Sequence, residues 1–144
     1  MKFTSLTIGC LAAIAIADSI CAGDKYDQGY CQITSVETID DADITRTIAD
    51  CERLCENIAD HDGDWHVDLT GTSNNVTLIN INHCRLKLAW SMDQDDLPEF
   101  RVAKQDILDL VDGAIIFAEA EGVDWVFLKG NMTCDGKDVS WWVA

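Results

Sequence analysis

The chain has 144 residues and a formal net charge of −16 at pH 7, from 26 Asp and Glu against 10 Lys and Arg. This excess of negative charge argues against nucleic acid and anionic membrane surfaces as partners, because like charges repel. The length fits one domain with a sizeable hydrophobic core, and no repeat, linker or low-complexity tract divides the sequence.

The N-terminal residues have the pattern of a secretory signal peptide. Lys2 supplies a positive start, a short uncharged apolar stretch follows, and the small residues Ala15 and Ala17 precede Asp18. The stretch is too short to span a bilayer, and no later stretch is long enough either. We therefore expect secretion into the extracellular space, with no transmembrane segment in the mature chain. The predicted divisions are a signal peptide over 1–17, an N-terminal segment over 18–30 and one domain over 31–144.

The cysteine count depends on where this leader is removed. Of seven cysteines, Cys10 lies within it. Cleavage after Ala17 leaves six, whereas cleavage after Ala22 would leave five and strand one thiol. In an oxidising compartment an even set predicts disulfide bonds rather than metal ligands or a reactive thiol. The predicted disulfide cysteines are Cys21, Cys31, Cys51, Cys55, Cys84 and Cys134.

The first predicted helix runs from about Thr47 to Asp60. Its apolar residues recur with the helical period of 3.6, and its charged residues fall on the opposite side. Cys51 and Cys55 are one helical turn apart on the apolar stripe, so both should point into the core.

Segments that alternate between apolar and polar residues come next, as expected of strands with one buried face. The residues predicted to face inward are Trp65, Val67 and Leu69, then Cys84, Leu86, Leu88 and Trp90, then Phe100 and Val102. Asp62-Gly63 and the run from Gly71 to Asn75 are predicted turns.

The second predicted helix runs from about Lys104 to Glu119 and should end at Gly122. Its apolar stripe contains Ala103, Ile107, Leu110, Val111, Ala114, Ile115 and Ala118. We expect Asp106, Asp109 and Asp112 to form its solvent-exposed face, with Asp106 also suited to the positive end of the helix dipole.

The last predicted strands are Val123 to Leu128 and the run with Val139, Trp141 and Val143, with a turn at Asp135-Gly136 between them. Strands interrupted by two amphipathic helices predict an α+β fold. We expect an antiparallel sheet covered on one face by both helices, a two-layer α/β sandwich.

This layout favours one disulfide pairing among the many that six cysteines allow. Cys51, on the buried stripe of the first helix, can reach Cys84 on the inner face of a strand. Cys31 and Cys134 flank the domain and could close it. Cys21 and Cys55 then remain for each other.

Several short motifs, in order from Cys31 to Trp141, resemble a known family. They are Cys31, Ala49-Asp50-Cys51, Trp65, Cys84, Asp106-Ile107-Leu108-Asp109-Leu110, Ile115, Phe117, Gly130-Asn131-Met132-Thr133-Cys134 and Val139-Ser140-Trp141. The chain is similar in these to the secreted fungal effector domain named after extracellular protein 2, also catalogued as a necrosis-inducing factor.

The resemblance implies a small secreted fungal protein associated with virulence and host cell death in plants, with an α/β sandwich like that of killer toxins. Four family cysteines map to Cys31, Cys51, Cys84 and Cys134, so Cys21 and Cys55 would form an additional bond. The chain departs from the family at Asn82-His83-Cys84-Arg85-Leu86, where the family pattern is Gly-x-Cys-Ala-Phe-Gly.

The residues themselves predict neither enzyme, metal nor cofactor. No nucleophile elbow, phosphate-binding glycine loop or H-E-x-x-H motif is present. His61 and His66 flank Asp62-Gly63-Asp64, but no second cluster completes a metal site. With so many acidic residues, a carboxylate pair for glycoside hydrolysis cannot be singled out.

Three residues are candidates for an exposed partner-binding patch: Ile116, Trp125 and Trp142. Trp65, Trp90 and Trp141 are expected in the core. Asn75-Val76-Thr77 and Asn131-Met132-Thr133 are N-glycosylation sequons, and Asn75, in a predicted turn, is the better acceptor.

These observations predict a secreted, disulfide-bonded, non-enzymatic effector that binds an extracellular or cell-surface component of a host plant. The alternatives are a killer-toxin-like antagonist of other microbes and a hydrolase of wall polymers.

Overall fold

The computed structural model describes residues 19–24, 27–38, 46–69, 75–90 and 99–144. The predicted leader, with Cys10, and most of the predicted turn at 71–75 lie outside these residues. The elements are a short 3₁₀ helix, Ile20–Ala22, then β1 Cys31–Thr38, α1 Ile48–Ala59, β2 Trp65–Asp68, β3 Asn75–Ile81, β4 Cys84–Ala89, β5 Glu99–Val102, α2 Lys104–Glu121, β6 Leu128–Cys134 and β7 Lys137–Val143.

The fold is α+β, as predicted, with two helices and two antiparallel sheets in the described part of the chain. The larger sheet has the strand order β1-β6-β7-β4-β3, and both helices contact its strands. The second sheet contains only β2 and β5. The sequence did not separate this pair of strands from the larger sheet, because alternation identifies the buried face of a strand without identifying the strand with which it pairs.

The prediction of a strand from Val123 to Leu128 was wrong. Within it only Trp125 makes a bridge, to Thr47, and the strand β6 begins at Leu128. Val126 is buried without being in a strand, its N–H donating to the carbonyl of Arg46 at 3.3 Å. A run of apolar residues indicates that a segment is buried, and here the buried segment has an irregular backbone instead of a strand.

Two strands, β1 and β3, had no clear signal in the sequence. β1 is an edge strand whose residues are mostly exposed, so its apolar and polar residues do not alternate. β3 changes register between Thr77 and Ile79, which interrupts the alternation within it.

Both predicted helices are present. Thr47 caps α1, its hydroxyl accepting from the N–H of Asp50 at 3.2 Å while the Asp50 carboxylate accepts from the N–H of Thr47 at 3.2 Å. α2 ends at Gly122, which has a positive φ of 69° and so terminates the helix in the left-handed conformation.

One predicted exposed residue of α2 is buried. Asp106 is only 6% exposed, and its carboxylate accepts from the N–H groups of Ala103 at 2.8 Å, Tyr30 at 2.9 Å and Cys31 at 3.2 Å. A side chain at Gly29 would collide with this carboxylate, so the neighbouring backbone approaches it closely. The helical period grouped Asp106 with Asp109 and Asp112 on the exposed side. Periodicity within a helix does not show whether a segment distant in the sequence packs over one of its residues.

The N-terminal segment covers the same part of α2. Gln105 and Leu108 are buried, and the side-chain amide of Gln105 donates to the carbonyl of Ala22 at 3.0 Å and to Asp109 at 2.7 Å. Asp109 itself is exposed, as predicted. The 3₁₀ helix thus extends the core beyond the sheet and its two helices.

Three disulfides join cysteines of the described residues. Cys51–Cys84 joins α1 to β4, Cys31–Cys134 joins the register partners of β1 and β6, and Cys21–Cys55 joins the 3₁₀ helix to α1. Cys51–Cys84 is the pairing that the helix and strand positions favoured, and the other two bonds are those expected from the ends of the domain and from the remaining cysteines. Five of the six cysteines are fully buried, so the bonds run through the core.

Replacing Asp106 with asparagine should destabilise the fold. Asp106→Asn keeps one acceptor oxygen and turns an NH₂ group toward backbone donors, so we expect a loss of about 1–3 kcal/mol in the free energy of unfolding. Asp109→Asn is the matched control, because residue 109 is exposed and asparagine can still accept from Gln105. Urea denaturation measures both, and equal stabilities would contradict the role of Asp106.

The same pair of proteins should respond differently to pH. Burial raises the pKa of Asp106 above its usual 3.8, outweighing the backbone N–H groups that lower it. A raised folded pKa means that this contribution to stability is complete below the unfolded pKa and declines as pH rises through the folded pKa. The stability difference between the wild type and Asp106→Asn should therefore be larger near pH 3 than at pH 7.

Candidate functional site

The outer face of the five-stranded sheet, the face away from the helices, carries the candidate site. Along β4, Cys84, Leu86 and Leu88 are buried, so the alternate residues Arg85 and Lys87 project outward. Along β7, Val139, Trp141 and Val143 are buried, so Trp142 projects to the same outer side.

Trp142 lies between two lysines across the sheet. Its register partners are Lys87 on β4 and Lys129 on β6. Adjacent strands are about 4.8 Å apart, so the two lysine backbones are about 10 Å apart with the indole between them. The Lys129 ammonium is 3.2 Å from the carboxylate of Glu37 on β1.

A cavity of about 370 Å³ opens beside Trp142. We call it the cationic pocket and define it by the side chains of Arg46, Arg85, Lys87, Phe127 and Trp142, with Asn75, Ala89, Trp90 and Ala144 completing the wall. The Arg46 guanidinium lies 5.6 Å from the centroid of the Phe127 ring, within reach of a cation–π interaction. Within the described ranges, no Asp or Glu side chain lines this pocket.

A second cavity, of about 210 Å³, shares Trp142 with the cationic pocket. Its polar side chains include Lys129, Asn131, Ser140 and Glu37. The two cavities therefore lie side by side along the outer face, and Trp142 contributes to both.

Two buried nitrogen atoms in the wall of the cationic pocket have no hydrogen-bond partner in the described part of the chain. They are Nε of Arg85 and Nε1 of Trp90, and Trp90 as a whole is only 7% exposed. A buried donor without an acceptor costs stability.

Positive charge is concentrated on this face. Lys2 and Lys25 lie outside the described residues, which leaves eight of the 10 Lys and Arg. Four of these eight, Arg46, Arg85, Lys87 and Lys129, surround Trp142. Within the five strands, the outward-facing acidic residues are Glu37 and Asp138, and both already have a partner, Lys129 and Thr133 respectively. The net charge of the whole chain therefore hides a locally cationic surface.

The predicted partner patch is not one surface. Trp142 lies on the outer face of the sheet, whereas Ile116, 55% exposed, lies on α2 in the helix layer on the other side. Trp125 is half-buried beside Thr47. Of the three residues, only Trp142 belongs to the candidate site.

The two sequons are in different environments. Asn75 is exposed at the start of β3, on the rim of the cationic pocket. Asn131 lies within β6, where its side-chain amide donates to the Ser35 hydroxyl at 3.1 Å and its oxygen accepts from Ser140 at 2.8 Å.

The histidines near Asp62-Gly63-Asp64 have structural neighbours. His61 stacks on Trp65 with the ring centroids 4.4 Å apart, and His66 lies 3.5 Å from the carboxylate of Glu99. No group of three potential metal ligands occurs in the described residues. Trp65 is half-buried rather than fully in the core, while Trp90 and Trp141 are buried.

A separate polar cluster fastens the turn between β6 and β7. The Arg101 guanidinium bonds both carboxylate oxygens of Asp135 at 3.3 Å and lies 4.0 Å from the centroid of the Tyr30 ring. The bonds from Arg101 lower the pKa of Asp135. The Tyr30 hydroxyl donates to Asp64 at 3.0 Å, and this bond raises the pKa of Tyr30.

The sequence contained part of the signal for the cationic pocket. Arg85 and Lys87 alternate with inward-facing leucines, which already places both on the outer face. Arg46 and Phe127 come from segments outside the strands, so only the tertiary structure brings them to Trp142.

The architecture defines a class of small α+β domains that three disulfides hold together, with two helices on one face of an antiparallel sheet. No helix in the described ranges is long and apolar enough to cross a membrane. Residues 30–134 match the Hce2 family, described as "pathogen effector; putative necrosis-inducing factor". The match spans well over half of the chain, so the chain belongs to this family. A comparison with curated proteins gives no match.

Glycan attachment should distinguish the two sequons. We expect a glycan at Asn75, which is exposed, and none at Asn131, where attachment would disturb the hydrogen bond to Ser35. Intact-mass measurement of protein secreted by a eukaryotic host should show one glycan, lost in Asn75→Gln and retained in Asn131→Gln. The reverse pattern would contradict this assignment.

Proposed function

We propose that this chain is a secreted, non-enzymatic effector of a fungal pathogen that acts outside the cells of a host plant by binding a host component. Membership of the Hce2 effector family over residues 30–134 is the observation that carries the proposal. It gives the type of activity, and the structure offers a binding surface on which a host component could dock.

Secretion is supported by the disulfides. Cys21 and Cys55 are both fully buried and bonded to each other, and such bonds persist in oxidising compartments. A signal peptide over 1–17, removed after Ala17, keeps Cys21 in the mature chain and leaves every remaining cysteine with a partner.

A binding role accounts for the perturbed acidic residues better than catalysis does. Burial raises the pKa of Asp106, yet three backbone N–H groups occupy its oxygens. Asp135, whose pKa is lowered, is held by Arg101. Each of these carboxylates already serves a structural contact, whereas a general acid or base needs an oxygen that can reach a substrate.

Infiltration of the purified mature protein into leaves tests the effector proposal. We expect local cell death or a measurable defence response at doses that leave tissue intact after infiltration of the reduced and alkylated protein. The control contains the same residues without the disulfide-bonded fold. Intact tissue at high dose of native protein would overturn the proposal, and growth inhibition of competing fungi by that protein would favour the killer-toxin-like alternative.

The mature N-terminus is a separate prediction. We expect secreted protein to begin at Asp18 and to contain no free thiol, because Cys21 closes the bond to Cys55. Intact-mass measurement with and without thiol alkylation reads both properties. A start at Gly23 with one alkylated cysteine would contradict the assigned cleavage site.

A further inference from the structure

We propose that the cationic pocket and the second cavity together bind an acidic oligosaccharide, a chain of sugar rings that bear carboxylate groups. The proposal rests on the proposed function for the source of this ligand, which would be a host glycan. The binding itself is a property of the outer face and can be measured on the purified protein.

The charge of the site requires an anionic ligand. Three cations, Arg46, Arg85 and Lys87, line the cationic pocket, and among the described residues no Asp or Glu side chain lines it. Because the rest of the protein is strongly acidic, this face is where an anion meets attraction rather than repulsion. Guanidinium groups also match carboxylates geometrically through paired N–H donors.

The aromatic side chains of the pocket favour a ligand that has an apolar face. Trp142 and Phe127 are both half-buried, so part of each ring is accessible in the pocket. An inorganic anion has no surface to pack on these rings. The C–H face of a sugar ring does, and its carboxylate and hydroxyl oxygens remain free to accept from the surrounding cations.

The hydrogen-bonding character of the pocket separates a sugar from a nucleic acid. Arginine, lysine and the tryptophan N–H can only donate, and Asn75 is the one side chain in the described part of the wall that can also accept. Base edges present donors as well as acceptors, so this wall would leave their donors unpaired. A uronate sugar is rich in acceptors, which suit the donor groups of Arg46, Arg85 and Lys87.

The shape of the site favours a chain over a single sugar. The two cavities adjoin at Trp142, and Lys87 and Lys129 flank that residue on the neighbouring strands. A ring stacked on Trp142 would place its neighbours toward these two lysines. Lys129 is engaged with Glu37, but an exposed ion pair contributes only about 0–1 kcal/mol, so exchanging Glu37 for a ligand carboxylate costs little.

The test is calorimetric titration of the full mature chain, made without N-glycans because Asn75 lies on the rim of the pocket. The probe is a tetramer of galacturonic acid, compared with its methyl ester, which has the same rings without the charges. We expect the acidic tetramer to bind, more weakly as salt is added, and the ester to bind at least about tenfold more weakly. Equal binding of the two, or no binding at millimolar concentration, would overturn the proposal.

Variants locate the binding. Lys87→Gln and Arg85→Gln should each weaken binding about tenfold, the scale of one hydrogen bond to a charged group. Arg53→Gln is the matched control, since it removes the same charge from the exposed side of α1, away from the sheet. Thermal unfolding checks that each variant is folded. An equal loss in Arg53→Gln would show a general charge effect and would sink the assignment.

Two further experiments distinguish this proposal from nucleic-acid binding and from the effector proposal. Tighter binding of a short single-stranded oligonucleotide than of the tetramer would replace the oligosaccharide with a nucleic acid and overturn it. The Lys87→Gln variant could lose glycan binding and still give the same leaf response as the wild type. That result would support the effector proposal and would exclude the acidic glycan as the ligand through which the effector acts.

Discussion

The hydrogen bonds to the carboxylate of Asp106 fix how the helix layer is placed against the edge of the sheet. This carboxylate binds the first backbone groups of α2 through Ala103 and the start of β1 through Tyr30 and Cys31. Three donors offset part of the cost of burying this charged group, although burial still raises its pKa. Since Cys31 is also bonded to Cys134, one side chain links the helix layer to the edge of the sheet.

Two disulfide bonds fix the strands whose outward residues form the outer face. The Cys31–Cys134 bond joins register partners of β1 and β6, and Cys51–Cys84 holds the first residue of β4 against α1. With Cys84 fixed inward, the two-residue period of a strand turns Arg85 outward. The bond that stabilises the core thereby also sets the side on which the cationic pocket forms.

The sequence predicted those features that depend on local periodicity. Both helices, the inward residues of β4 and β7 and the positions of the cysteines follow from spacing alone. The burial of Asp106 does not, because it depends on Gly29 and the N-terminal segment arriving from far along the chain. The pairing of β2 with β5 and the meeting of Arg46 with Phe127 are likewise tertiary facts.

The net charge of −16 was a poor guide to ligand chemistry because charge acts locally. At physiological salt the field of an exposed charge fades over roughly 8 Å, so a ligand at Trp142 senses Arg85 and Lys87 more than distant carboxylates. Arg85 and Lys87 alternate along β4 with the buried residues Cys84, Leu86 and Leu88, so the outward charges can change without disturbing the core. The ligand preference of the outer face should therefore be set by these outward side chains, whereas the inward ones set the fold.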